Sequence, residues 1–543
     1  TDMETAEVFG IPMALVILVL VFGALVAAIV PLVLGVIAIV MAVAIVAVIG
    51  QAYDFSTFVI NMIGAVGFAL GIDYSLFIVS RYREERSRGR DKMDAIETAG
   101  ATASRTVFFS GIIVMLALLG MFIVPITMFH SIAAGAILVV ITALAVTLTL
   151  LPAVLSLMGD RIDSLRVPFF GRRSGEAERS GGFWERTARI VMRRPVLSLV
   201  LAGGILIAAI VPVTDFKLGS SGVSTMPDHL ESKKGFLILE EDFSFGLITP
   251  AQIVIDGRID SPSVQAGIER LTVLIEADDS FYGTPELEVN GSGDLAELAA
   301  PVVGDPDDEE AIEAVRRLRN DYIPQAFAGV DAEVLVGGAT SSDIDYIDLT
   351  GKSLPLVFLF VLSLSFVLLT VVFHSIVVPI KAILMNLLSV GAAYGLVVLV
   401  FQKGVGADLL GFQAIDKFEA WVPIFLFCLL FGLSMDYHVF LLSRVRERFD
   451  QTGDNTESVA FGLRSTGRII TGAALIMVAV FSGFASGELV MFQQLGFGMA
   501  VAVFLDATIV RSILVPSAMQ LLGTRNWYLP RWLRWLPQIR LRE

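Results

Sequence analysis

The chain has 543 residues, 55% of them hydrophobic, with 39 basic and 54 acidic side chains and a net charge of −15. A mean hydropathy of +0.77 excludes an ordinary soluble domain and points to membrane spans. A single cysteine, Cys428, excludes a disulfide framework and a thiolate metal cluster.

A bilayer core of about 30 Å needs about 20 apolar helical residues. Eleven stretches meet this, near residues 11–28, 29–50, 57–80, 106–128, 131–156, 195–214, 354–374, 376–401, 420–442, 467–488 and 491–515. Basic residues mark the cytoplasmic side. They cluster at Arg81–Lys92, Arg161–Arg194, Arg444–Arg448 and Arg525–Arg542. An even number of spans separates each cluster from the next, so all four fall on one face. The predicted organisation is a first membrane half over 1–157, a basic cytoplasmic linker over 158–194, and one span at 195–214. An acidic domain follows at 215–352, then five spans over 353–515 and a basic cytoplasmic tail at 516–543.

Residues 215–352 carry 28 acidic against 9 basic side chains, a net −19, and fall on the outer face. Alternation predicts strands at Ala251–Asp256, Leu287–Asn290 and Ala332–Val336, and amphipathic helices at Ser263–Ala277 and Glu309–Phe327. Strands alternating with helices suggest a small extracytoplasmic α/β sandwich. The chain thus reads as a multi-pass protein of the bacterial inner or plasma membrane.

The chain also repeats itself. Phe68-Ala-Leu-Gly-Ile-Asp73-Tyr74 matches Phe431-Gly-Leu-Ser-Met-Asp436-Tyr437, and the register continues through Phe77/Phe440, Ser80/Ser443, Arg81/Arg444, Arg83/Arg446, Glu84/Glu447 and Arg105/Arg468 at a constant offset of 363. Applied backwards, this offset pairs residue 1 with position 364. It predicts about 170–180 upstream residues, completing twelve spans and two outer domains.

Asp73 and Asp436 each stand eight residues before an interfacial arginine, about 12 Å into the hydrocarbon. An ionised Asp there costs roughly 2.5–3.5 kcal/mol. Two such acids facing each other across a pseudo-two-fold axis would not both stay ionised. The pair reads as a protonatable switch, with Tyr74 and Tyr437 as donors or relays within reach of the opposite repeat's acid. The bland alternative is a neutral, hydrogen-bonded Asp that fixes helix packing. Lys381 is expected to snorkel to the cytoplasmic interface. His438, whose counterpart is Ser75, reads as packed or water-contacting rather than as a relay member. Gly64, Gly67 and Gly71 suggest close helix packing. No GxxxxGK[ST], zinc-ligand spacing or nucleophile constellation occurs, so neither an enzyme nor an ATP-driven pump is expected.

The run Gly71-Ile-Asp73-Tyr74-Ser-Leu-Phe77-Ile-Val-Ser80-Arg81-Tyr-Arg83-Glu84-Glu85 resembles the fourth segment of the MmpL group of RND-superfamily transporters. Ser104-Arg105-Thr106-Val-Phe-Phe-Ser110-Gly111 resembles the start of that group's fifth segment. The resemblance implies an α-helical RND-type bundle of two pseudo-symmetric halves, here family segments 2–12, with a porter-like outer α/β domain. It also implies export of lipids or other hydrophobic molecules, driven by protons as coupling ion and without a cofactor. The relay it implies is Asp73, Tyr74, Asp436 and Tyr437, with Ser110 as the family's fifth-segment serine. The position equivalent to Ser110 is Ala473, so this serine is not duplicated. Partners would be a lipid-like substrate, membrane lipids and a homo-oligomer or cell-envelope accessory proteins, with no nucleic acid. The alternatives are a sterol-sensing, receptor-like protein and a proton-driven accessory factor for protein secretion.

Overall fold

The computed structural model describes residues 2–165, 183–220, 222–227, 229–243, 249–533 and 535–536; for residues 2–9, 224, 240–243 and 436 it describes the backbone alone. Several sequence expectations lie outside the described residues: Arg166, Arg172, Arg173 and Arg179 of the basic linker, and Arg534, Arg540 and Arg542 of the tail.

Ten helical stretches among the described residues are long and apolar enough to cross a membrane, and a shorter apolar helix, Gly10–Phe22, makes an eleventh element. The first half comprises α1 (Asp2–Phe22), α2 (Leu25–Ile49), α3 (Phe58–Ser87), α4 (Lys92–Leu118), α5 (Thr127–Ala145) and α6 (Leu151–Met158). After the linker come α7 (Phe183–Arg193) and the span α8 (Pro195–Ile210). The second half comprises α12 (Ala339–Phe373), α13 (Val377–Val397), α14 (Trp421–Thr452), α15 (Asn455–Ala485), α16 (Val490–Leu505) and α17 (Val515–Leu522).

The repeated helices α3 and α14 form the centre of the bundle and are almost wholly buried. Their repeat-equivalent residues Phe77 and Phe440 meet edge to face at 5.0 Å, so the pseudo-two-fold axis passes between them. Glycine permits the close approaches. A Cβ on Gly71 would lie 2.8 Å from the Gly35 Cα, so α2 and α3 touch backbone to backbone there.

The offset of 363 does not reach back to the first span. α1 ends at Phe22 and its counterpart α12 ends at Phe373, an offset of 351. The cause is the outer connection from α13 to α14, residues 403–420, which is longer than residues 50–57 between α2 and α3. The linker also holds structure that hydropathy alone did not indicate. Helix α7 is amphipathic and packs Trp184 against Gly467 of α15, while Glu185 pairs with Arg464 at 3.3 Å.

The outer domain is a four-stranded antiparallel sheet of order β3-β4-β2-β5, where β2 is Ala251–Gly257, β3 Glu286–Val289, β4 Leu295–Ala300 and β5 Ala332–Gly337. Helices α10 (Pro262–Glu276) and α11 (Glu309–Arg317) cover one face, burying Ile253, Ile255, Leu271, Leu298 and Val315; α9 (Glu231–Phe243) precedes the sheet. Strand β4 and α9 were absent from the sequence reading. Leu295–Ala300 alternates weakly because it is Ala-rich, and the apolar residues Phe236–Leu239 of α9 run consecutively rather than at helical spacing.

Two features tie this domain to the bundle. Strand β5 leads directly into α12, one 35-residue helix that continues through the membrane. Strand β1 (Leu218–Gly219) pairs in parallel with β6 (Phe418–Glu419), which immediately precedes α14. Beside this pairing, the Lys417 ammonium donates to the Asp307 backbone carbonyl and pairs with its carboxylate at 3.4 Å.

Candidate proton-relay site

Asp73 sits mid-span on α3, 3% exposed. The Tyr437 hydroxyl, from the opposite repeat, donates to Met477 Sδ at 3.6 Å and stands near enough to Asp73 to act on its carboxyl, as does the Arg511 guanidinium. Asp73 Oδ1 has no hydrogen-bond partner among the described residues. The reciprocal contact predicted between Tyr74 and Asp436 involves a side chain outside the described residues; the Asp436 backbone lies within α14. Ser110 is buried on α4, which packs against α14, and it makes no hydrogen bond among the described residues.

The structure adds a charged pair that the sequence reading missed. Arg511 is 3% exposed; it donates to the Asp506 carboxylate and, at 3.1 Å, to the Ser434 carbonyl of α14. Its guanidinium carbon lies 4.3 Å from the centre of the Tyr437 ring, a cation–π contact. Residues Asp506–Leu514 form a π-helix. In an α-helix, positions five apart point about 140° away from each other, whereas i→i+5 bonding stacks them. The wide turn is therefore what allows Asp506 to hold Arg511.

The signal was present in the sequence as two opposite charges five apart inside an apolar span. Comparison of the halves isolates it further. Pro152 and Gly159 match Pro516 and Gly523 at an offset of 364, which aligns Asp506 and Arg511 with Thr142 and Thr147. A π-helical turn recurs in the first half at Val146–Leu150, but Thr142, just before it, and Thr147, within it, are neutral. The backbone irregularity is repeated while the ion pair is not, so Arg511 has no charged counterpart in the first half.

A cavity of about 10 Å³, room for one water, adjoins the pair; it is lined in part by Asn386, Ser434, Tyr437, Asp506 and Arg511. Both polar atoms of the Asn386 amide are buried there without a hydrogen-bond partner among the described residues. His438 is fully buried. Lys381 does not snorkel. It is 6% exposed, and its ammonium donates to Asn526 Oδ1 at 3.3 Å because the segment Gly523–Trp527 folds back over the α12–α13 turn.

The MMPL family profile matches residues 1–198 and 273–540. The chain belongs to the MMPL family. It is 38% identical to "Mycolic acid-containing lipids exporter MmpL11" of Mycolicibacterium smegmatis over 99% of this chain and 56% of that protein. It is 37% identical to "Heme uptake protein MmpL11" of Mycobacterium tuberculosis over 98% of this chain and 55% of that protein. "Trehalose monomycolate exporter MmpL3" of the same organism is 33% identical over 98% of this chain and 59% of its own length. The chain spans about half the length of these MMPL relatives. Among solved structures, the hedgehog release protein Disp of the water bear Hypsibius dujardini superposes with a TM-score of 0.69 at 13% identity, covering 96% of this chain and 70% of that one. SecDF of Thermus superposes at 0.55 with 15% identity, covering 95% of this chain and 62% of that one. At these identities the structural likenesses speak to the fold alone. The family, the RND-type fold and the membrane helices make this a multi-pass protein of the bacterial plasma membrane.

Proposed function

We propose that this MMPL chain is the membrane engine of a proton-driven exporter of lipids or similarly hydrophobic molecules. The observation that carries the reading is Asp73, a dry acid held between a tyrosine from the opposite repeat and an arginine already engaged by Asp506. Ionised, Asp73 competes with Asp506 for Arg511. Protonated, it releases its claim and leaves Arg511 to Asp506 and the Ser434 carbonyl. Because Arg511 grips α14 through that carbonyl and the Tyr437 ring, proton uptake shifts the balance of contacts between α3 and α14.

Motion of α14 has a short path outward. Its outer end is continuous with β6, which pairs with β1 at the entrance to the outer domain, and Lys417 fastens the same loop to Asp307. The export names carried by two of the relatives support a lipid-like cargo. Asp73→Asn or Asp436→Asn is expected to abolish pH-gradient-driven lipid export from proteoliposomes while leaving insertion and thermal stability near wild type. Wild-type export by either variant would remove the relay assignment.

A further inference from the structure

The cytoplasmic ends of α4, α12 and α14 do not close on one another. Between them lies an open cleft whose enclosed part measures about 30 Å³, lined in part by Arg105, Phe109, Leu368, Val439, Arg444 and Glu447. We propose that this cleft binds an anionic phospholipid of the cytoplasmic leaflet, its head group at Arg105 and Arg444 and its upper acyl carbons against Phe109, Leu368 and Val439.

Three observations carry this. The first is the chemical gradient along the cleft. The arginines lie at the cytoplasmic rim, while the walls toward the membrane interior are apolar. The rim hydroxyls of Thr102 and Ser443 are already donated to the carbonyls of Thr98 and Phe440, so the Arg105 guanidinium is the ready donor for an anion, with Arg444 adding positive charge beside it.

The second is charge. Arg105 is exposed and makes no ion pair or hydrogen bond among the described residues. Arg444 pairs with Glu447, which also stands at the rim of the cleft, at 3.2 Å. Its repeat counterpart Arg81 meets two carboxylates, Glu84 at 2.9 Å and Glu85 at 3.2 Å. The position matching Glu85 is Arg448, so the second half carries a cation where the first carries an acid.

The third is the pseudo-symmetric place, which is shut. The residue matching Phe109 is Gly472, and a Cβ there would lie 3.0 Å from a Val21 methyl of α1. Val21 and Val372 each stand one residue before the end of their helix. The glycine lets α1 lie flat on α15, and Arg83 pins the end of α1 by donating to the Phe22 carbonyl at 2.9 Å. The counterpart of Arg83 is Arg446, which turns instead to Asp450 and the Trp527 ring. With Phe109 as a prop and no such clamp, α12 stands away from α4 at its inner end. Exposed Phe108 on α4 and Val367 on α12 face outward beside the cleft, so its mouth opens sideways to the leaflet, where an occupant with an acyl tail enters and a soluble anion has no advantage.

The test places a reporter in the cleft. In Leu368→Trp protein reconstituted into phosphatidylcholine, brominated phosphatidylglycerol should quench the new tryptophan at roughly fivefold lower mole fraction than brominated phosphatidylcholine, the scale expected for one basic residue near a membrane surface. Adding Arg105→Gln should erase that preference; this arginine holds no other side chain, so the fold survives its loss. Native mass spectrometry of the Arg105→Gln protein without the reporter should show weaker retention of phosphatidylglycerol than wild type. Equal quenching by both lipids, or a preference untouched by Arg105→Gln, would overturn the proposal. Displacement by millimolar inorganic phosphate would also overturn it, by showing that an anion without a tail suffices.

Discussion

At the scale of single residues, Arg511 is the side chain on which the relay reading turns. It is bound by Asp506, by the Ser434 carbonyl and by the face of Tyr437, and it lies within the field of Asp73. Removing one partner of a buried ion pair leaves an uncompensated charge and costs roughly 3–5 kcal/mol. Arg511→Gln alone should therefore lower the melting temperature in detergent. Asp506→Asn with Arg511→Gln should restore most of that stability, because no lone charge remains. Transport should stay absent in the double variant if Arg511 serves the relay, whereas a purely structural pair would let activity return with the fold. The two aspartates were legible because an intramembrane acid repeated in register has few bland explanations. Arg511 was not, because its meaning depends on a π-helical turn that places it beside Asp506.

At the scale of elements, the outer domain has its own electrostatic anchor. Asp278, two residues past the end of α10, accepts from Arg317 at 2.9 Å, from the Tyr322 hydroxyl at 2.9 Å and from the Ser280 backbone N–H at 3.0 Å. Burial alone would raise its pKa, but these hydrogen bonds outweigh that and hold it down to about 2. A carboxylate depressed below its unfolded value near 4 stabilises the fold above that value. The contribution drains as pH falls toward 2. Asp278→Asn should thus destabilise the outer domain at neutral pH by about 1.5–3 kcal/mol, read as faster hydrogen exchange in α10 and α11. Below pH 2 the variant and wild type should converge. In the membrane, Gly71→Ala should force α2 and α3 apart at Gly35, costing about 1–3 kcal/mol in detergent melting. The spans themselves were readable because an apolar helix needs no tertiary partner to declare itself. Strand β4 was not, because its small apolar groups bury only against the rest of the domain, and α9 was not, because its apolar residues Phe236–Leu239 form a short run without helical spacing.

At the scale of the whole molecule, the fold is a doubled bundle made unequal. Sidedness is open to a direct check: Gly293→Cys should react with a membrane-impermeant maleimide from outside, and Ser87→Cys only from the cytoplasm. Cys428 is fully buried and should stay silent in both. The same reagent labelling both positions from one side would refute the topology. By itself the sequence determined which segments are apolar enough to cross the membrane, that the halves repeat and that each carries an Asp-Tyr pair, because hydropathy and register are written locally along the chain. Only the tertiary structure decided that Tyr437 comes close to Asp73, that one half alone holds an ion pair beside them, and that α1 closes where α12 stays open. Those facts depend on a wide helical turn, a glycine standing opposite a phenylalanine, and the extra loop before α14, and their effects exist only where distant segments meet.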